Sequence, residues 1–323
     1  MPRVAAIDCG TNSLRLLVAD VDPARGVLTD VEREMVVVRL GQGVDRTGRL
    51  ADDALERAFE TTSDYAERCK RMGVEAVRFV ATSATRDASN SETFVEGVRE
   101  RLGVEPEIIS GEEEAVLSFV GATAVIATHH PSPYLVVDLG GGSTELVLGR
   151  DVPEAVHSMP VGCVRLTERR LHSDPPTEDE IVAATRDIHE ALDRAAADVP
   201  LGETRTLVGL AGSVTTVTAH ALGLERYQAD VIDGTVLGMR AAVIAATDLL
   251  GMTREARARL GFMHPGRIDV IGAGALVWRE TMLRVRHDVQ VAGRDLPTVV
   301  TSEHDMLDGI AWGLANHLDS PQA

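Results

Sequence analysis

Two short segments concentrate the residue types that hold phosphate: Asp8-Cys-Gly-Thr-Asn-Ser13 and Asp138-Leu-Gly-Gly-Gly-Ser143. In each, an Asp ends an apolar run, a glycine follows two positions later, and a Ser closes the segment before a second apolar run. The backbone N–H groups at Gly10, Gly140, Gly141 and Gly142 can form an anion-binding concavity. Asn12 and the hydroxyls of Thr11, Ser13 and Ser143 complete it, because glycine lets the backbone approach a ligand closely. Asp8 and Asp138 can each hold a divalent cation, directly or through water. Either segment alone reads equally well as an ordinary tight hairpin turn. The pairs Asp8/Asp138, Gly10/Gly140 and Ser13/Ser143 share an offset of 130 positions, which points to a duplicated phosphate-binding hairpin. Two such turns facing each other would grip a phosphate chain from both sides.

Other candidate groups have plainer alternatives. Glu112, Glu113 and Glu114 follow Ser110, and Ser110 with Glu113 spells a capping box in a first turn whose acids suit the helix dipole. On that reading all three glutamates are structural. Arg86 follows a strand in a Thr/Ser-rich turn, where a solvated side chain and bidentate capture of phosphate are both open. Arg15 lies on a strand and its direction is open too. Glu145 is a strand-edge acid or, beside Asp138, a group that places a metal-bound water. Gly212-Ser213 is an anion turn or an ordinary N-cap. His129, His130, His264 and His304 sit near turns and receive no role.

The elements that must position these groups alternate between strands and helices. Val4–Ile7, Leu14–Val21 and Met35–Leu40 read as strands, Asp52–Met72 as a helix stopped by Gly73, and Ala76–Ala81 as a strand. Asn90 should cap a helix to Leu102, Pro106–Ile109 is a strand, and Ser110 opens a helix to about Ala127. After the His129–Pro133 turn cluster the pattern restarts with strands at Leu135–Asp138 and Glu145–Leu148. Helices follow near Glu178–Ala197, Ser213–Leu222 and Val236–Leu250, with strands at Thr206–Leu210 and Thr298–Thr301 and a last helix at Met306–His317.

The 323 residues, 44% hydrophobic and 25% charged, suit a globular chain of about two domains. The net charge of −18 argues against a general nucleic-acid binder. Lys70 is the one lysine and precedes Arg71, so no Walker A loop exists, and no H-E-x-x-H motif is present. Three scattered cysteines make a disulfide framework and a thiolate zinc site improbable and suit a reducing cytoplasm, with Cys9 beside Asp8 a candidate for oxidation. No apolar stretch suits a secretory leader or a membrane span.

Taken in order, these motifs resemble the exopolyphosphatase/guanosine pentaphosphate phosphatase family of the actin, Hsp70 and sugar-kinase superfamily. The carrying residues are Asp8–Leu16, Ala81–Arg86 with Asn90, Ile109–Ala115 and Asp138–Glu145, joined by Gly162–Glu168, Gly212-Ser213 and Arg267–Asp269. Cys9 and Thr11 replace a commoner aliphatic residue and serine. The resemblance implies two α/β domains of ribonuclease H-like topology with an interdomain cleft, at residues 1–125 with a terminal helix at 304–323, and at 126–303. It also implies Glu114 as the group that activates water, aided by Glu145. Phosphate would bind Gly10, Thr11, Asn12, Ser13, Arg86, Gly140, Gly141, Gly142, Ser143, Gly212, Ser213 and Arg267, with Mg²⁺ near Asp8 and Asp138. Longer members carry an HD-type C-terminal extension, so a chain reaching only Ala323 is expected to act as a short exopolyphosphatase on inorganic polyphosphate. Guanosine pentaphosphate hydrolysis and non-catalytic nucleotide sensing are the alternatives. A cytoplasmic homodimer with no nucleic-acid or membrane partner is expected.

Overall fold

The computed structural model describes residues 1–319. In chain order its elements are β1 (Arg3–Cys9), β2 (Ser13–Asp22), β3 (Val27–Val37), α1 (Val44–Thr47), α2 (Asp52–Met72), β4 (Ala76–Ala81), α3 (Ser83–Arg86), α4 (Ser91–Leu102), β5 (Glu107–Ile108) and α5 (Gly111–Ile126). The chain continues through β6 (Tyr134–Leu139), β7 (Thr144–Gly149), β8 (Pro153–Met159), α6 (Cys163–Arg170), α7 (Glu178–Asp198), β9 (Thr206–Leu210), α8 (Ala211–Ala221) and α9 (Ala229–Ile232). It ends with β10 (Val236–Gly238), α10 (Met239–Gly251), α11 (Arg254–Ala258), α12 (Ile271–Val291), β11 (Thr298–Thr301) and α13 (Met306–Asp319). Residues 320–323 of the expected terminal helix lie outside the described residues.

One compact unit comprises Met1–Gly121 and α13 (Met306–Asp319), and the other comprises Ala122–Asp305. The first holds a sheet in the order β3-β2-β1-β4-β5 and the second a sheet in the order β10-β11-β9-β6-β7-β8. In both, the first three strands form antiparallel hairpins and the next strands add parallel to the first. Thus β8-β7-β6-β9-β11 repeats β3-β2-β1-β4-β5, and the duplication suspected from the 130-residue offset extends through five strands.

Strand alternation explains the layering of the first unit. Ala5, Ile7 and Cys9 share a core with Leu55, Tyr65 and Phe94 of α2 and α4, whereas Val4 and Ala6 meet Met306, Ile310 and Ala311 of α13. In the second unit one core gathers β6 and β7 with α6, α7, α8, α10 and α12, around the buried Trp278.

Several expectations need correction. The third strand starts earlier, at Val27, and Val38–Leu40 leaves the sheet. Val236–Gly238 is a strand paired with β11, and the helix begins only at Met239. The Asn90 side chain bonds the Leu50 N–H and carbonyl (2.9 and 3.0 Å) rather than capping α4. Strand β8 and helices α6 and α12 are further elements beyond those the sequence pattern predicts. No described helix is long and apolar enough to cross a membrane.

Helix α13 is pinned to the first unit by charge as well as by its apolar face. Arg33 on β3 donates Nη2 to Asp308 Oδ1 at 2.7 Å and Nη1 to Oδ2 at 3.3 Å, and Asp308 is 1% exposed. Arg33→Leu strips a buried carboxylate of this partner, so stability in urea unfolding should fall by about 1–3 kcal/mol. Arg33→Lys, which keeps the charge, should lose less.

Candidate active site

In the first unit, the candidate groups meet at the carboxyl edge of the parallel strands, where ligands of open α/β sheets bind. Cys9 pairs in register with Ala81, and Ala81 with Ile108. The backbone stitches the three strand ends together: Thr82 N–H donates to the Cys9 carbonyl (3.2 Å) and Ile109 N–H to the Ala81 carbonyl (3.1 Å). The Gly10–Ser13 turn, Thr82–Arg86 and Ser110–Glu114 therefore emerge side by side. The turn is closed by Gly10 N–H to Ser13 O at 2.9 Å, and the Thr11 and Ser83 hydroxyls share a 2.9 Å hydrogen bond. Ser83 was not anticipated, although it sits inside the Ala81–Arg86 motif.

Asp8 and Arg15 face each other across the β1–β2 hairpin. Arg15 donates both Nε (2.8 Å) and Nη2 (2.7 Å) to Asp8 Oδ2, which settles the direction of Arg15: its charge neutralises a carboxylate that is only 4% exposed. Arg86 donates Nη1 to the Ile109 carbonyl at 2.7 Å and stands 3.7 Å from Glu114 Oε2. Glu114 is 7% exposed. The neighbouring acids divide as the capping pattern suggests, with one change. Ser110 Oγ accepts the Glu113 N–H (3.1 Å), but the Glu113 carboxylate reaches Arg78 (2.8 Å) instead of completing a capping box.

In the second unit, the turn at Gly140–Ser143 repeats the first, with Gly140 N–H donating to Ser143 O at 3.0 Å. Asp138 faces Glu145 in register across β6–β7, both nearly buried, and Ser158 Oγ donates to Glu145 Oε1 at 2.7 Å. Ser158 gave no local signal, since only the β7–β8 register brings it to Glu145. Asp138 also pairs with Leu210 of β9, so the start of α8 at Ala211–Ser213 emerges at the same sheet edge. Ala211 has φ 68°, a strained conformation for a residue with a Cβ.

Arg267 lies flat on the next residue: a Cβ at Gly212 would fall 2.2 Å from its guanidinium carbon. Its Nη1 also contacts Thr216 Oγ1 at 3.4 Å. Nearby, the Tyr227 hydroxyl donates to Glu303 and contacts Thr215 Oγ1 at 2.8 Å, a pair remote in sequence that no motif announced. Burial holds the Glu303 carboxyl above its ordinary range against the opposing effects of Tyr227 and Arg267. His264 accepts the Gly266 N–H at Nδ1, and burial with the charge of Arg267 lowers its pKa, so it is neutral at pH 7. Among the described residues no group of three His, Cys, Asp or Glu side chains forms a metal cage.

Comparison with known proteins bears on these groups. The Ppx/GppA phosphatase family matches residues 17–293. Exopolyphosphatase 2 of Mycobacterium tuberculosis is 50% identical over 322 residues, covering 98% of this chain and 99% of its own. The crystal structure of an exopolyphosphatase-like protein superposes with a TM-score of 0.94 at 45% identity, over 98% of this chain and 99% of that one. A family member from Aquifex aeolicus gives a TM-score of 0.79 at 28% identity, over 99% of each chain.

The thiols correct one expectation. Cys9, Cys69 and Cys163 are free and buried. Burial raises the Cys9 thiol well above its usual range, helped by the Asp8 charge, and pushes Cys69 to about 11. Burial also raises Cys163, against a hydrogen bond from Ser213. Reactivity requires an accessible thiolate, so Cys9 is shielded rather than sensitised. The native protein should not react with a disulfide reagent at mildly alkaline pH, while all three thiols should titrate after denaturation. A fast-reacting thiol in the native state would contradict this.

Proposed function

Because the chain belongs to the Ppx/GppA phosphatase family, we propose that it is an exopolyphosphatase, releasing the terminal phosphate of inorganic polyphosphate as orthophosphate. The observation that carries this reading is the Arg86–Glu114 pair beside the Gly10–Ser13 turn at one sheet edge. Phosphoryl transfer asks mainly for positioning and charge stabilisation. The N–H groups and polar side chains of Gly10, Thr11, Asn12 and Ser13 in one unit, and of Gly140, Gly141, Gly142 and Ser143 in the other, would receive phosphate oxygens. Gly212, Ser213 and Arg267 would add donors in the second unit.

Arg86 would exchange Glu114 for the terminal phosphate, leaving the carboxylate to take a proton from water. The water oxygen bonds to phosphorus, the bond to the bridging oxygen breaks, and that oxygen stays on the shortened chain. A reducing cytoplasm suits three buried free thiols.

Magnesium fits the second unit better than the first. Like charges directly opposite on paired strands repel, and Asp138 faces Glu145 in that way, both within a buried edge. One or two carboxylates suffice for Mg²⁺, which keeps waters and takes substrate oxygens for the rest. Asp138 and Glu145 would hold it, whereas the Oδ2 of Asp8 is already engaged by Arg15. Such a cation supplies charge neutralisation to the phosphate chain. Ser158 would fix the Glu145 rotamer.

The test is phosphate release from long polyphosphate, tripolyphosphate and guanosine pentaphosphate, side by side with Mg²⁺. Polyphosphate should give the highest kcat/KM, and a higher value for guanosine pentaphosphate would replace this reading. Glu114→Gln should lower turnover by ~10²–10⁴ while polyphosphate still binds. Near-normal turnover would remove Glu114 from its role. Asp138→Asn or Glu145→Gln should raise the Mg²⁺ concentration needed for half-maximal activity more than Asp8→Asn does. The reverse order would move the cation to the first unit.

A further inference from the structure

Both candidate phosphate turns have their carbonyl oxygens bound by the segment that follows the third strand of their own sheet. In the first unit Val38 and Arg39 donate N–H to the Asn12 carbonyl (3.1 and 2.9 Å), and Gly41 donates to the Thr11 carbonyl (2.8 Å). Arg39 takes the left-handed conformation at φ 52° to bend the chain onto the turn. In the second unit the start of α6 does the same work: Cys163 donates to the Gly140 carbonyl (3.0 Å), and Val164 and Arg165 donate to the Gly141 carbonyl (2.8 and 3.1 Å). A trans peptide directs its C=O and the following N–H in opposite directions. Binding those carbonyls therefore aims the N–H groups of Asn12 and Ser13, and of Gly141 and Gly142, away from the tethering segment.

The approach leaves no space for a side chain. A Cβ at Gly41 would fall 2.3 Å from Thr11 Cγ2, and one at Gly162 would fall 2.5 Å from the Gly141 carbonyl carbon and oxygen. We propose that Gly41 and Gly162 are positioning residues: through them the Val38–Gly41 and Gly162–Arg165 segments fix each turn with its N–H groups directed to phosphate. The proposal rests on the phosphate-binding reading above, and the test separates the two.

Full-length variants are titrated calorimetrically with tripolyphosphate in Mg²⁺, with thermal unfolding in parallel. Gly41→Ala drives its methyl into the Thr11 methyl, and Thr11→Ser removes that methyl while keeping the hydroxyl bonded to Ser83. Cys163→Pro deletes one tethering N–H without adding a clash at Gly162. Proline is favoured at the first position of a helix, and the extended Gly162 (φ −143°, ψ 169°) accepts a following proline. Cys163→Ala keeps the N–H. Gly97→Ala is an equally crowded control, 2.2 Å from the Phe59 ring and outside both turns.

Gly41→Ala and Cys163→Pro should each weaken tripolyphosphate binding by about tenfold, and in a Thr11→Ser background Gly41→Ala should cost less than about threefold relative to Thr11→Ser alone. Cys163→Ala and Gly97→Ala should bind as wild type does, whatever their melting temperatures. Wild-type affinity in both Gly41→Ala and Cys163→Pro overturns the proposal, as does an equal loss in Gly97→Ala. If one variant does not fold, the other decides. A wild-type chain that binds tripolyphosphate but does not cleave polyphosphate overturns the hydrolytic reading alone, and one that binds none overturns both.

Discussion

A peptide group cannot show its N–H and its carbonyl to the same anion, and this constraint organises both units. A turn built to receive phosphate must have its carbonyl oxygens satisfied elsewhere, because orphaned buried acceptors are costly. Each sheet answers by carrying its third strand onward into a segment that returns to the turn, through Val38–Gly41 in one and the start of α6 in the other. The hairpins β1–β2 and β6–β7 thereby become rigid platforms, and the parallel strands beside them add further groups at the same edge.

The repeated scaffold carries unequal charge. The 130-residue offset that matches Asp8 to Asp138 also matches Arg15 to Glu145. One hairpin is thus internally neutral at its buried end, while the other sets two acids face to face. The same backbone occurs twice, with charges of opposite sign at the equivalent positions 15 and 145. In a chain with a net charge of −18, such local arrangements must work against the long-range field that a polyanion meets.

What could be read from sequence was local. The two turns, the Ala81–Arg86 segment and the Ser110–Glu114 helix start announce themselves because their residue types and spacing lie within a few positions. The same holds for α2, whose apolar spacing and terminal Gly73 give its limits. The pairing of Arg15 with Asp8 was open, since strand direction fixes a face only once the register is known. Ser158, Tyr227 and Glu303 reach their partners through register or over long separations, which no window contains. Helix α12 was hidden for another reason: Ile271–Trp278 is buried on every side, so its sequence lacks the polar face that marks an amphipathic helix.

The first unit is discontinuous, and that orders events during synthesis. Val4, Ala6 and Leu17 complete their apolar cover only with α13, which is made after the whole second unit. At bacterial and eukaryotic rates the stretch from Ala122 to Asp305 takes on the order of ten to forty seconds to translate. During that interval one face of the nascent β1–β2 hairpin stays uncovered and sticky. The second unit, being continuous, can complete its core on the ribosome. Helix α13, made last among these elements, then closes that face with Met306, Leu307, Ile310, Ala311 and Ala315.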